Sequence, residues 1–211
     1  MRRTKQDAEQ TRKAILASAM DIFYEKGYSK TTFDEIAKRI NLTKGAVYWY
    51  FRNKPDIVAA LINEFAVKYF TEINAFINSR KTISFDNITD TQLFIFQMMH
   101  ENLTLHKFMF FITCQMEWSE AIINKVLPAI EETKKISRNL MFENLRKLRD
   151  NGVLKPDTDI VLTGEILMTI SSGALEAYFG KRLTNDLETV VRNGFTMVYN
   201  NIKTEGNNNE N

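Results

Sequence analysis

Residues 31–54, TTFDEIAKRINLTKGAVYWYFRNK, constrain the fold of this chain more than any other segment. Thr32 and Glu35 have the spacing of a capping box, in which a hydroxyl and a carboxylate satisfy free amides at the start of a helix. Asn41 tolerates the left-handed backbone that a sharp helix end needs, and Thr43 is placed to cap the next helix. The segment therefore predicts two short helices joined by a tight turn, which is the layout of a helix-turn-helix.

The second of these helices carries aromatic side chains on both faces. At about 100° per residue, Val47 and Phe51 share one face, whereas Tyr48 and Trp49 lie on or near the opposite face. Large aromatic side chains on the outward face of a short helix are unusual for a soluble protein but suit contact with DNA. A further capping signal at residues 53–56, which include a proline suited to a first turn, predicts the start of another helix.

Charge is distributed unevenly along the chain. Residues 1–54 contain 12 Lys/Arg and 6 Asp/Glu, a net charge of +6, whereas residues 55–211 contain 16 and 20, a net charge of −4. A basic head on a neutral-to-acidic body is typical of a DNA-binding protein. Arg2, Arg3 and Lys5 are expected to add non-specific attraction to DNA or to reach a minor groove.

Composition and periodicity favour an all-α protein. The chain has 211 residues, of which 44% are hydrophobic, but only three prolines and eight glycines. Amphipathic periods of 3.6 residues dominate. No apolar run reaches 18 residues, and the N-terminus MRRTKQDAEQ lacks the apolar core of a signal peptide. The single cysteine, Cys114, cannot form an intrachain disulfide and suits a reducing compartment, so a cytoplasmic location is predicted.

The pattern predicts about nine helices. The first spans residues 7–26 and ends at Gly27, and the two short helices follow. The others are predicted over 55–79, 91–103, 105–117, 120–151, 158–180 and 185–203, with a polar turn over 80–90 and a split or kink near Pro128. The predicted domains are a helix-turn-helix DNA-binding domain over 1–54, a helical ligand-binding and dimerisation domain over 55–205, and a disordered tail over 206–211.

A larger set of residues between positions 8 and 60 follows a known family pattern. It comprises Thr11-Arg12, Ile15-Leu16, Ala19, Phe23, Gly27-Tyr28, Thr31-Thr32, Glu35-Ile36-Ala37, Thr43-Lys44-Gly45-Ala46-Val47-Tyr48, Phe51 and Lys54. On these residues the chain resembles the TetR family of bacterial transcriptional repressors. Asn41 stands where the family usually has glycine. The stretch from His106 to Trp118 and the helix order are similar to the AcrR-type multidrug-efflux regulators.

The helix-turn-helix and the resemblance together predict which residues contact DNA. Lys44 is expected to donate to guanine or to a phosphate, and Gly45 lets the backbone approach closely. Tyr48 and Trp49 are expected to contact phosphates or a thymine methyl group, with packing inside the head as the alternative. By resemblance, Thr32, Tyr48 and Lys54 are phosphate contacts. The complete predicted set is Thr31, Thr32, Thr43, Lys44, Gly45, Ala46, Tyr48, Trp49, Tyr50 and Lys54.

The body is rich in methionine and aromatic side chains, which suit an adaptable apolar pocket because methionine changes shape and rings stack. An ordinary helix-bundle core is the alternative. Glu117 lies in a predicted apolar helix, where its carboxylate would pair with a cationic ligand or occupy an exposed rim. The predicted ligand-binding residues are Phe65, Phe96, Met99, Phe110, Phe111, Cys114, Glu117, Trp118 and Phe142.

The last two predicted helices are more apolar than one buried stripe requires, and they contain the small residues Gly164, Ser171, Ser172 and Gly173. The resemblance implies that they pair with their copies in a four-helix bundle. The predicted dimer interface comprises Ile160, Ile166, Ile170, Ala174, Tyr178, Val191, Phe195 and Val198. A two-fold dimer presents two recognition helices about one turn of DNA apart, which matches a palindromic operator. Packing of both helices within one subunit is the alternative.

These features predict a transcriptional regulator, a repressor that leaves its operator when a small hydrophobic ligand binds the body and shifts the fourth helix. Its predicted partners are double-stranded operator DNA, the ligand and a second copy of the chain, with no membrane. The alternatives are an α-helical enzyme or binding protein for an apolar molecule, an interaction protein with exposed apolar stripes, and a ligand-independent activator.

Catalytic and metal-binding patterns are missing from the sequence. The two histidines, His100 and His106, are six residues apart and do not share a helical face in the way that metal ligands do. No glycine-rich phosphate loop and no supported Ser/His/Asp set occurs. We therefore predict no enzymatic activity, no metal and no cofactor.

Overall fold

The computed structural model describes residues 4–80, 83–117 and 119–205, and over this part of the chain the regular elements are helices. They are α1 (Lys5–Lys26), α2 (Phe33–Arg39), α3 (Lys44–Tyr50), α4 (Lys54–Asn78), α5 (Phe85–Glu101), α6 (Leu103–Phe110), a π-helix (Phe111–Gln115), α7 (Glu120–Asp150), α8 (Ile160–Phe179) and α9 (Leu187–Ile202). The only β-type pairing within these ranges is one isolated bridge between Leu154 and Lys203. The predicted all-α class is confirmed.

Local sequence rules account for many of the helix ends. Thr4 forms a capping box with Asp7 at the start of α1, and Gly27 ends that helix with a φ of 84°. Asp159 and Asp186 accept hydrogen bonds from backbone amides at the starts of α8 and α9. Such side-chain acceptors satisfy amides that have no partner within the helix.

Residues 85–90 are helical, so the polar turn predicted over 80–90 is wrong for that part. The hydroxyl of Ser84 accepts a hydrogen bond from the Asn87 amide at 3.1 Å. Phe85 and Ile88, three residues apart, are both buried. A cap followed by two inward apolar side chains begins a helix even though the intervening residues are polar. Farther along, α7 runs continuously through Pro128, whereas the predicted helix over 105–117 is an α-helix to Phe110 and a π-helix to Gln115.

The chain forms two compact units that do not divide at residue 54. The first contains the described residues of Met1–Lys68 and Asn102–Glu132, and the second those of Tyr69–Glu101 and Thr133–Asn211. The first unit extends beyond the helix-turn-helix because Phe23 of α1 stacks on Phe111 at 4.9 Å, and both rings are fully buried. The predicted tail over 206–211 lies outside the described residues.

The core of the second unit is formed by α5, α7, α8 and α9. Its most buried large side chains include Met99, Leu145, Leu148, Leu167, Val191 and Phe195. Gly164 is required where α8 meets the ring of Phe142, because a Cβ atom built there would lie 2.3 Å from a ring carbon. The small residue therefore admits a neighbouring helix of the same subunit.

Candidate DNA-binding surface and effector cavities

The turn between α2 and α3 has the predicted geometry. The Thr32 hydroxyl accepts a hydrogen bond from the Glu35 amide at 3.3 Å, and the Glu35 carboxylate accepts one from the Thr32 amide at 3.0 Å. Asn41 has a φ of 54°, in the left-handed region. The Thr43 hydroxyl accepts from the Ala46 amide at 3.2 Å and caps α3. The capping box, the left-handed turn residue and the second cap are all confirmed.

One face of α3 is fixed against the head and the other is open. Val47 is fully buried, and Phe51, just after the helix, is 5% exposed. On the other side Trp49 is 74% exposed and Tyr48 is 50% exposed. The Tyr48 ring rests 4.7 Å from the ring of Phe33, which explains why half of its surface is covered. Trp49 is therefore the large side chain that α3 offers most fully to a partner.

Two predicted DNA contacts are turned inward instead. Thr31 is 2% exposed, and its hydroxyl donates to the Gly27 carbonyl at 2.8 Å, so it stabilises the chain after α1. The phenol oxygen of Tyr50 is buried and has no hydrogen-bond partner within the described residues. The Tyr50 ring packs edge-on to Trp49 at 4.6 Å. Both side chains therefore belong to the packing of the head, which corrects their predicted contact with DNA.

Several basic residues of the head are already paired with acids. Arg39 donates two hydrogen bonds to Glu25, at 2.7 and 2.6 Å. Lys26 pairs with Glu35, and together with the hydrogen bonds from Thr32 it lowers the pKa of Glu35 to about 2. Other pairs join Lys38 to Asp34 and Arg12 to Glu64.

Five other cations of the head face solvent. Those that are exposed and form no ion pair with any residue in the described ranges are Lys5, Lys13, Lys30, Lys44 and Arg52. Lys44 is the one among them that lies on α3, and its ammonium is 5.7 Å from the centre of the Tyr48 ring. The predicted contributions of Arg2 and Arg3 fall outside the described residues. Lys44 is thus the cation best placed to accompany Trp49.

Lys54 has a different environment from the phosphate contact predicted for it. Its ammonium donates to the carbonyls of Tyr28 and Ser29 at 2.7 and 3.1 Å and lies 4.4 Å from the Tyr28 ring centre. Partial burial lowers the pKa of Lys54, and the nearby Glu117 carboxylate opposes this shift. Burial, with a smaller effect of Glu117, raises the pKa of Tyr28 to about 12. Because two of its three N–H donors are engaged, Lys54 ties the segment before α2 to the start of α4.

Glu117 does not lie in an apolar helix, which corrects that prediction. The π-helix ends at Gln115, and the exposed carboxylate of Glu117 accepts a hydrogen bond from the Ser29 hydroxyl. Cys114 is also exposed. Both residues lie on the surface of the first unit, so neither has the enclosed position expected of a ligand-binding side chain. Trp118, the next predicted ligand contact, lies outside the described residues.

The predicted ligand-binding aromatics of the first unit form ring pairs. Phe65 stacks on Phe108 at 4.0 Å, and Phe110 meets Tyr24 edge-on at 5.3 Å. Phe111 is fully buried in its stack on α1. For these three residues the observed packing favours the alternative of an ordinary core.

Among the cavities lined by described residues of the second unit are two small ones and one larger cleft. The first, of about 100 Å³, is lined by Ile73, Ile88, Thr91, Gln92, Ile95, Leu140, Met141, Asn144 and Met168. The second, of about 50 Å³, is lined by Ile77, Arg80, Ile83, Ser84, Asn87, Ile88, Thr91 and Asn144. The third is a more open cleft of about 450 Å³, whose lining includes Phe76, Arg80, Asp90, Phe94, Phe96, His100 and Arg192.

Few of these lining residues were predicted from the sequence. Of the predicted ligand-binding residues in the second unit, Phe96 lines the open cleft, whereas Met99 and Phe142 are buried in the packing. Ile88 was missed because the first turn of α5 was assigned to a loop, and Thr91, at the start of the predicted helix, was not among the soft apolar side chains taken as ligand-binding. Met141 could have been predicted, because it is one of the methionines of the body that suit an adaptable apolar pocket.

The comparisons with known proteins agree with this geometry. The family model for bacterial regulatory proteins of the tetR family matches residues 15–61, which run from α1 into α4. Over 63 residues the chain is 43% identical to the HTH-type transcriptional regulator TtgR of Pseudomonas putida. It is also 43% identical over 60 residues to the HTH-type transcriptional regulator AcrR of Shigella flexneri.

The head of this chain is similar to the heads of tetR-family regulators over residues 15–61. The match with TtgR covers 30% of this chain and 30% of that relative, and the match with AcrR covers 28% of each. Beyond the head, the fold is shared with NalD of Pseudomonas aeruginosa, described as the secondary repressor of the MexAB-OprM multidrug efflux pump. The TM-score is 0.78 at 20% identity, over 95% of this chain and 100% of that one.

Half of the residues predicted for the dimer interface are buried inside the subunit. Ile160 and Ala174 are 6% exposed, and Val191 and Phe195 are fully buried. These four side chains occupy the inner faces of α8 and α9, so their predicted intersubunit contact is corrected. Ile166 is exposed and Val198 is half-buried.

The other two predicted interface residues also have partners within the subunit. Ile170 packs against α9, where a Cβ atom built on Gly194 would lie 3.0 Å from it. The Tyr178 hydroxyl is hydrogen-bonded to His100 at 3.2 Å. Both side chains are half-buried.

The outer face of α8 is apolar. Val161, Leu162 and Ile166 are between 41% and 54% exposed, and Met197 of α9 is 68% exposed. The composition and length of α8 satisfy a test for a membrane-crossing helix, with a mean hydropathy of 1.3 in an 18-residue window. Its inner side is nevertheless packed in the second unit, as the fully buried Leu167 illustrates. Within the described ranges, no group of three or more His, Cys, Asp or Glu residues is placed to hold a metal ion.

Proposed function

We propose that this protein is a dimeric transcriptional repressor that acts in the cytoplasm and binds a palindromic operator through α3. The observation that carries the proposal is the outward face of α3, where the 74%-exposed Trp49 lies beside the unpaired Lys44. An exposed indole and a free ammonium on a capped helix suit the apolar and hydrogen-bonding groups of a major groove. The relatives named as transcriptional regulators support the same function.

The outer faces of α8 and α9 support dimerisation. An apolar strip of Val161, Leu162 and Ile166, with Met197 on α9, would otherwise remain in water. Gly173 has no atom within 4 Å of an added Cβ, so the backbone there is open to a close-approaching helix. Pairing of this face with its copy around a two-fold axis buries the strip and gives two recognition helices for two half-sites.

The first two cavities of the second unit are the proposed effector site. Their walls contain Met141 and Met168, whose unbranched side chains can reshape around a ligand. Helix α4 is continuous from Lys54, which is tied to the segment before α2, to Ile73 and Ile77, which line the cavities. An effector that favours one position of α4 would therefore change the binding-competent fraction of the heads. It acts only through its different affinity for the two states.

The test of the function is selection of binding sites from random duplex DNA by the purified protein. A palindromic site, bound with steep salt dependence and released by a small apolar compound, is the expected result. Binding would be measured by fluorescence anisotropy over a series of salt concentrations. Failure to enrich any sequence at low salt would overturn the proposed function.

Two lysines of the head are expected to respond differently to neutralisation. Lys44→Gln should reduce the slope of log affinity against log salt by up to about 0.9 for each head, because each head loses one cation that displaces counterions from DNA. Lys54→Gln should leave that slope unchanged, since its ammonium is held by two carbonyls, and should lower thermal stability through their loss. Salt titrations and thermal melts of both variants give the two readouts. A reduced slope in Lys54→Gln would restore its role as a phosphate contact.

A further inference from the structure

The two smaller cavities of the second unit are neighbours with a common wall, and together they are here called the paired cavity. Three residues, Ile88, Thr91 and Asn144, line both of them. The larger part extends to Met141 and Met168, and the smaller part extends to Arg80. One end of the paired cavity is therefore apolar, and the other end lies beside a guanidinium group.

The charge of this lining is one-sided. Arg80 is the one charged side chain that lines either part, and no aspartate or glutamate of the described residues does so. A cation that enters such a space loses part of its hydration without gaining a carboxylate partner, which is unfavourable. An anionic head group meets the opposite situation, because a guanidinium offers donors that match the oxygens of a carboxylate.

Neighbouring side chains hold Arg80 in place but do not use all of its N–H donors. Its guanidinium carbon lies 4.6 Å from the centre of the Phe76 ring, and its Nη2 is 3.4 Å from the Asp90 carboxylate. Asp90 is shared with Arg192 at 3.8 Å, and Arg192 also pairs with Glu188 at 3.1 Å. These four charged groups are neutral together, and the one that lines the paired cavity is the cation. A guanidinium has five N–H donors, so Arg80 retains donors for a ligand.

The uncharged polar groups of the lining are suited to the same head group. The side-chain amides of Gln92 and Asn144 form no hydrogen bond with any residue of the described ranges. The Thr91 hydroxyl is already used, since it donates to the Asn87 carbonyl at 2.7 Å. Asn144 lines both parts of the paired cavity, so its amide N–H is available to an acceptor that also reaches Arg80.

From this arrangement we infer that the effector is a small amphiphile with an anionic head, a carboxylate or similar acid, and not a hydrophobic cation. The head binds Arg80 and Asn144, and the apolar part lies against Met141 and Met168. This inference rests on the proposed ligand-responsive function. The small volumes, about 100 and 50 Å³, select a slender chain or a single ring, with the methionines moving to admit longer chains.

The test compares three probes that share one alkyl chain and differ in the head: octanoate, octanol and octyltrimethylammonium. Each is titrated into the full-length protein at neutral pH by isothermal calorimetry. Octanoate should bind at least tenfold more tightly than octanol, and the cation should show no measurable binding. Arg80→Gln should reduce octanoate to the affinity of octanol and leave octanol unchanged.

Arg192→Gln separates the paired cavity from the open cleft, because Arg192 lines the cleft alone whereas Arg80 lines both. This variant should retain the preference for octanoate. Loss of the preference in Arg192→Gln, equal binding of octyltrimethylammonium, or no binding of any probe at millimolar concentration would each overturn the inference. Calorimetry needs no DNA, so failure of the proposed repressor function is detected separately as absence of a selected DNA site.

Discussion

Replacement of Ile166 by glutamate is expected to dissociate the dimer and to weaken operator binding by at least about 100-fold. Ile166 is 41% exposed on the outer face of α8, so the change adds no buried charge within a single subunit. In a two-fold interface, however, each new carboxylate loses water, and the two copies add two negative charges to one interface, so both effects oppose association. Separated heads lose the advantage of binding two linked half-sites, which can exceed about 100-fold.

Sedimentation equilibrium gives the first readout. The wild type should have twice the chain mass of 24.5 kDa, and Ile166→Glu should have the mass of a single chain. Anisotropy with a selected palindrome gives the second. Ile123→Glu on α7 is the matched control, since Ile123 has a similar exposure of 38% and lies outside α8 and α9. If Ile166→Glu remains dimeric and Ile123→Glu dissociates, the interface is formed by α7 and not by α8.

The helix-turn-helix could be predicted from the sequence because its determinants are local. The capping box of Thr32 and Glu35, the left-handed Asn41 and the cap at Thr43 each act within four residues. Backbone amides at a helix start need a nearby acceptor, so residue type and spacing are sufficient. The same reasoning succeeded at Gly27, where a positive φ ends α1.

The use of each polar side chain could not be predicted in the same way. Thr31 and Lys54 have the residue types of DNA contacts, yet their donors are taken by backbone carbonyls. Glu117 was expected to face a ligand, yet it accepts from the hydroxyl of Ser29, 88 positions earlier in the chain. Such pairings depend on tertiary contacts, which residue type and helical period do not encode.

A similar ambiguity applies to the proposed dimer face. Helix α8 is apolar on two sides, so its period does not tell which side is internal. Ile160, Leu167 and Ala174, at spacings of seven, are the buried side, whereas Leu162 and Ile166 are exposed. The sequence predicts an α8 that is apolar on more than one side, and Val161, Leu162 and Ile166 remain exposed in the single subunit. The contacts of α7 and α9 decide which surface remains.

Trp49→Ala is expected to remove most of the sequence preference of DNA binding while leaving non-specific binding intact. An exposed indole has no charge to attract phosphates, but it can make an apolar contact with the methyl group of a thymine in the major groove. Loss of a base contact typically costs about 1–3 kcal/mol. Because each dimer carries two copies, the expected cost is about 2–6 kcal/mol, or roughly 30-fold to 10⁴-fold in affinity.

The measurement is anisotropy at one salt concentration with the selected palindrome and with a scrambled duplex of equal length. Replacing the contacted thymine by uracil, which lacks the methyl group, should lower the affinity of the wild-type protein for the palindrome. It should change the affinity of Trp49→Ala little. Tyr50→Phe is the control, since it removes an adjacent phenol oxygen that is buried and has no partner in the described ranges. This control should bind both duplexes as the wild type does. If Trp49→Ala lowers the affinity for the palindrome and for the scrambled duplex equally, the indole does not read bases. It then supports the fold of the head or its contacts with the DNA backbone.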